Sequence, residues 1–379
     1  MSNRNNFWPK RLFSLDVSRG FAALAVVLWH WQHFAFNGDA LSQNFDRGSQ
    51  PLYEVLMLFY EKGLRGAEYF FLLSGFIFFW LYERSIENKS TSFTYFWVQR
   101  ISRLYPLHFV TLLIVALLQA IYISHNGISF VYIYNDVYHF FLQLGFISNW
   151  GFESGFSFNG PVWSVSIEIL LYLLFFIVAY LRQGGILSCL FVSITFFSIT
   201  LFIYSKIFNA ISMFFLGGFV FHTTFIISTR FQNLKLAIIA TAMLSWILTI
   251  VNFYAYNLSG FILRLGFIGN ILLYGFPLYI LFPFTLSALA LVEIDKGEFL
   301  KSISWIGDIT YSSYLLHFPL QLVFGLAVSY GVLNSNFYLN PIYLLVFFSI
   351  LIPLSYVTFI GFERPIQNII RNKYRYHMS

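Results

Sequence analysis

ITYSSYLLHFPLQLVFGLAVSYGVLNSNFYLNPIYLLVFFSILIPLSYVTFIGF (309–362) contains no Asp, Glu, Lys or Arg. Crossing a bilayer takes ~20 mostly apolar residues in a helix, because backbone polar groups must find their partners inside the hydrocarbon. The run is long enough for two such helices, with a break at YGVLNSNFYLNP. Charge-free stretches recur at 183–205, 207–229, 236–263 and 265–292. Of the 379 residues, 58% are hydrophobic and 10% charged, against ~25% charged in soluble domains. That excludes a soluble enzyme, a disordered chain and a disulfide-stapled secreted protein. The net charge of +6 is not gathered into one patch, which excludes a nucleic-acid binder. Cys189, the single cysteine, lies in an apolar run and forms no internal disulfide.

The pattern predicts an all-α polytopic membrane protein, with one membrane domain over 1–379 and no repeat or linker. Ten transmembrane helices are expected at about 17–36, 66–82, 105–124, 163–181, 186–205, 208–227, 235–251, 271–292, 305–329 and 341–362. The stretch 137–150 reads as re-entrant or interfacial, and 252–270 could hold part of a span. With an even count both termini share a side. That side holds 16 of the Lys and Arg residues, from Arg4, Lys10 and Arg11 to Arg371, Lys373 and Arg375, and the other side holds 5. This asymmetry puts both termini in the cytoplasm. The first apolar stretch has no small-residue cleavage site, so it reads as a retained span.

Ionisable groups within spans are costly in lipid and mark function. In LDVSRGFAALAVVLWHWQHF (15–34), Arg19 and His30 are eleven residues apart. Eleven steps of ~100° return to within about 20° of one helix face, with a rise of ~16 Å. Asp16 lies near the same stripe. Glu168 in GPVWSVSIEILLYLL comes ~8 Å below the outer surface and His30 ~9 Å below it. Equal depth suggests a base with an orienting carboxylate; a structural ion pair is the plainer alternative. His317, in YSSYLLHFPLQL, falls in the same outer half, beside the helix-kinking Pro319. Glu68 marks the outer end of the second span, where Ser74 and Gly75 suit close helix packing. Arg100 and Arg103 stand one turn apart at the cytoplasmic edge, fit either to lipid phosphates or to an anionic cofactor. The residues show no metal, dinucleotide or Walker motif.

The segments LDVSRG with AVVLWH (15–30), FFLLSGF (70–76), RISRLYP (100–106), VWSVSIEILLYLL (162–174), FFLGG (214–218), ITYSSYLLHFPL (309–320) and FERP (362–365) resemble, in wording and order, the acyltransferase-3 family of bacterial membrane acyltransferases. The ordered set covers essentially the whole chain. The resemblance implies transfer of an acyl group, often acetyl, from acyl-CoA across the cytoplasmic (inner) membrane of a bacterium to a hydroxyl of an envelope glycan or lipid-linked sugar. The family's essential Arg and His fall on Arg19 and His30, and its basic pair on Arg100 and Arg103. Those arginines and Arg19 would answer the CoA phosphates, and His30, oriented by Glu168, would take the hydroxyl proton. The chain would be a stand-alone member without the hydrolase-like domain of longer relatives. It departs from the pattern at Glu68, where Asp is common, and at Gln99, where a further Arg is common. The expected partners are acyl-CoA, the sugar acceptor and membrane lipids, without a metal or nucleic acid. The rival reading is a transporter of glycolipid or small anions, using the buried His and Glu as a proton relay. The acyl group, the acceptor and the oligomeric state are open at this stage.

Overall fold

The computed structural model describes residues 8–378, and the side chains of these up to 374. Arg4 and the side chain of Arg375, both counted in the charge asymmetry, lie outside the described residues. The chain is helical almost throughout. The main helices are α1 (Phe13–Trp29), α2 (Gly66–Leu81), α3 (Phe93–Asn126), α4 (Trp163–Tyr180), α5 (Ile186–Phe202), α6 (Lys206–Arg230), α7 (Lys235–Tyr254), α8 (Phe282–Lys296), α9 (Thr310–Ser329), α10 (Pro341–Thr358) and α11 (Arg364–Met378). Among the described residues the only strands are a two-residue pair, Phe36–Asn37 with Ala40–Leu41. Among the described residues, eight helical stretches are long and apolar enough to cross a membrane, and α5 is a shorter apolar helix.

Helices occupy each expected span, with different bounds. The third begins at Phe93 rather than near 105, capped by the Ser92 hydroxyl on Tyr95 N and ended by left-handed Gly127. Pro106 sits inside it; an internal proline removes one main-chain bond, and a helix of 34 residues tolerates the loss. The eighth expected span is a helix from Phe267 to Lys296 broken by a π turn at Phe276–Leu281. The segment 37–65, expected as loop, contains a helix at Tyr53–Lys62. The stretch 137–150 holds a short helix, Val137–Leu144, capped by Asp136.

The chain divides into two compact units, each assembled from three stretches. One comprises 1–22, 65–90 and 173–308. The other comprises 23–64, 91–172 and 309–379.

In the first unit, α2 and α6 cross at near backbone contact. A Cβ on Gly75 would overlap the carbonyl oxygen of Phe214, and one on Gly217 would overlap that of Leu72. Ser74 lies next to this crossing. Around it, Phe76, Phe79, Phe175, Phe214 and Phe221 are fully buried and meet mostly edge-to-face, as Phe79 and Phe175 do at 5.1 Å and 76°. That geometry aligns ring quadrupoles favourably. The start of α1 is held by Glu293 of α8. Its two carboxylate oxygens accept from Phe13 N (2.7 Å) and Ser14 N (2.8 Å). First-turn N–H groups have no partner within their own helix, and a carboxylate there also meets the positive end of the helix dipole.

The second unit depends on Pro319 in α9. A proline has no N–H for the carbonyl four residues back, here Leu315. The amide of Asn159 fills that place, donating to Leu315 O at 3.0 Å. The carbonyl that Pro319 leaves unpaired in α9 is thereby satisfied inside apolar surroundings. The end of α1 tightens into a 3₁₀ turn over His30–Ala35, pinned where Trp31 Nε1 donates to Tyr338 O at 2.8 Å.

Replacing Gly75 by Val is expected to force α2 and α6 apart at a cost of about 1–3 kcal/mol, read as a lower midpoint in thermal unfolding of the detergent-solubilised protein. An unchanged midpoint would contradict the close crossing.

Candidate functional site

The 3₁₀ turn matters because residues three apart eclipse in that geometry. It places His30 and His33 side by side, ring centroids 4.7 Å apart. Facing them, α9 supplies His317 and, one turn on, Gln321. All four side chains are buried, His317 and Gln321 completely.

The hydrogen bonds determine where the protons are. His317 Nδ1 lies 2.6 Å from the carbonyl oxygen of Tyr314. A carbonyl only accepts, so Nδ1 carries a proton, and the neutral ring keeps its lone pair on Nε2. That Nε2 is 3.1 Å from His30 Nδ1, so His30 Nδ1 must donate. The Val26 carbonyl, one turn back, also lies against the His30 ring. His30 is left with a lone pair on Nε2. The ring planes lie within 24° of each other, with centroids 4.9 Å apart. A backbone carbonyl thus sets the tautomer of one imidazole, which sets that of the next.

Below this pair on α9 is a second polar group. The Tyr314 hydroxyl donates to Pro161 O at 2.8 Å and meets Ser164 Oγ at 2.8 Å. Glu168 interacts electrostatically with Tyr314 and Tyr311 and is hydrogen-bonded to Tyr172. The charges of Arg100 and Arg103 act on that same Tyr172 hydroxyl. Ser312 donates to buried Glu363 at 2.6 Å. From α11, Arg371 donates through Nη2 to Gln99 O (2.8 Å) and through Nε to Ser102 Oγ (3.2 Å), on either side of Arg100.

The expected residues therefore separate as follows. His30 and His317 come together directly. The partner on His30 Nδ1 is His317, and Glu168 stands with Tyr172 and the basic pair Arg100 and Arg103. Arg19 and Asp16 belong to the other unit. There Arg19 Nη2 reaches Gly307 O at 2.7 Å and Asp16 Oδ1 at 3.1 Å, and Asp16 also binds Arg11 at 2.6 Å. Glu68 pairs with Arg65 at 2.8 Å and accepts from Asn209 at 2.9 Å. Ser74 lies at the α2–α6 crossing. Residues that sequence reasoning missed are His33, Gln321, Tyr132, Tyr172 and Arg371. The spacing of His30 to His33, and of His317 to Gln321, was a signal available for the first two. Among the described residues, no three His, Cys, Asp or Glu side chains converge as metal ligands.

The Acyltransferase domain family matches residues 12–360. The chain belongs to that acyltransferase family. It is also 32% identical over 167 residues to the acyltransferase MdmB of Streptomyces mycarofaciens, a match that covers 44% of this chain and 38% of that relative. No solved structure matches. His30, Glu168 and His317 all lie within the matched range.

Ser312→Ala removes a donor from buried Glu363 and is expected to cost about 1–3 kcal/mol, measured as a lower unfolding midpoint in detergent. A Phe at 312 should be worse still, since it adds bulk without a donor.

Proposed function

We propose that this acyltransferase moves an acyl group, acetyl in the simplest case, from acyl-CoA to a hydroxyl of a cell-envelope glycan, with His30 as the general base. One observation carries the reading: His30 is buried, its Nδ1 proton is committed to His317, and its lone pair is therefore on Nε2. A neutral imidazole of defined tautomer is what proton abstraction from an alcohol requires.

The step balances as a direct transfer. Nε2 takes the proton of the acceptor hydroxyl as its oxygen attacks the thioester carbonyl. The carbon–sulfur bond breaks, an ester forms, and the proton passes from Nε2 to the departing sulfur. While His30 holds the extra proton, its Nδ1–H still donates to His317, whose tautomer is fixed by the Tyr314 carbonyl. The cation is thus stabilised by a neutral acceptor. Arg100 and Arg103 supply guanidinium groups for the phosphates of the CoA nucleotide, and Arg371 braces the helix on either side of Arg100 through Gln99 O and the Ser102 hydroxyl. The tyrosine-rich segment from Tyr311 to Tyr314 leads along α9 from the basic pair towards His317. On the topology given by the loop charges, the donor would come from the cytoplasmic side of a bacterial inner membrane and the acceptor from outside.

His30→Ala, with membrane insertion confirmed, should lower ester-linked acyl groups on the host's envelope glycan by roughly 10²–10⁴ in rate; unchanged acylation would overturn the enzyme reading. Flux of a substrate without any new ester would favour a transporter. Arg100→Ala and Arg103→Ala should each raise the KM for acyl-CoA by about tenfold, equivalent to ~1.4 kcal/mol, with kcat nearly constant. An unaltered KM would return both residues to membrane topology alone.

A further inference from the structure

Gln321 has no solvent exposure and lies between the two histidines of the 3₁₀ turn. Its Nε2 donates to the main-chain carbonyl of His30 at 2.9 Å. Its Oε1 is 2.9 Å from Nδ1 of His33. The carbonyl of His30 can only accept, so the NH₂ end of the amide must face it, and the oxygen end must face His33. Only a protonated Nδ1 makes that second bond. Neutral His33 then carries its lone pair on Nε2, where the Tyr132 hydroxyl stands 3.4 Å away as the donor. His30 reaches the same form by another route, through His317. Two adjacent rings hold the same tautomer, and both assignments trace to α9.

We propose that Gln321 is a positioning residue for the base: one amide seats the main chain of His30 and fixes His33 with its proton on Nδ1, so that both rings offer an unprotonated Nε2. The kinetic consequence rests on the acyl-transfer reading above, whereas the tautomers rest on geometry alone. With the proton on the other nitrogen of His33, the Gln321 oxygen would face a lone pair, and Tyr132 would have to reverse from donor to acceptor. The amide could not turn to relieve this without placing its oxygen against the His30 carbonyl. The arrangement is therefore cooperative: each bond orients the next. It also leaves Nε2 of both rings as an acceptor of hydroxyl donors, the place that Tyr132 already takes on His33.

The test is ¹⁵N solid-state NMR of the full chain labelled at histidine in lipid nanodiscs, with His33→Gln used to assign its signals. In the wild type, His30 and His33 should show protonated Nδ1 and bare Nε2. Gln321→Met removes both contacts while filling the volume. His33 should then populate both tautomers, and kcat for acyl transfer should fall at least about tenfold with the KM for acyl-CoA unchanged. Gln321→Glu keeps an acceptor for His33 but, when ionised, has no donor for the His30 carbonyl. It should preserve the His33 tautomer and still lower kcat. His108, whose Nε2 lies 2.8 Å from the Gln143 carbonyl, reports native packing in every variant. A wild-type His33 protonated on Nε2, or a Gln321→Met chain with an unmixed His33 signal and full kcat, overturns the proposal. A chain with the stated tautomers that transfers no acyl group overturns the proposed function and leaves this placement intact.

Discussion

A main-chain carbonyl cannot donate a hydrogen bond, and the chemistry proposed for this protein depends on that. Tyr314 O accepts from His317 Nδ1, and this forces a lone pair onto His317 Nε2. That lone pair in turn commits the Nδ1 proton of His30. A buried imidazole without such a partner would choose its tautomer by small differences in surroundings. Here the choice is made by backbone, which does not rotate or ionise. The hydrogen-bond partner at His30 Nδ1 is a second neutral ring.

The fold has to satisfy two backbone irregularities to build that arrangement. Pro319 takes an N–H away from α9 just beyond His317, and Asn159 supplies the missing donor to Leu315. The end of α1 tightens into a 3₁₀ turn, which brings His33 alongside His30. Unsatisfied polar groups at membrane depth are expensive, so such departures persist only where neighbouring side chains complete them. Gln321, Trp31 and Asn159 all do this in the same unit. Away from the site the helices pack by the simpler rule seen at Gly75 and Gly217, where missing side chains let backbones touch.

The helical stretches were legible from charge-free runs, because the cost of a charge in lipid writes itself directly into composition. The pairing of side chains was less so. Depth along a helix follows from residue count, and it correctly placed His30 and His317 in one layer. Rotation about the helix axis does not survive a change from α to 3₁₀ winding or a proline bend, and Glu168, matched to His30 by depth, is found with Tyr172 and the charges of Arg100 and Arg103. The partner of Arg19 includes the carbonyl of Gly307, and no side-chain pattern announces a backbone acceptor. Arg371 looked like one more basic residue near a terminus until α11 placed it against Gln99 and Ser102.

The most direct measurement of the central pairing is a double-mutant cycle on kcat for acyl transfer, using His30→Ala, His317→Ala and the combination. If His317 acts by holding the His30 tautomer, removing it from a chain that already lacks His30 changes nothing further, and the double variant is as slow as His30→Ala alone. Losses that multiply would show that the two rings act independently and would contradict the account.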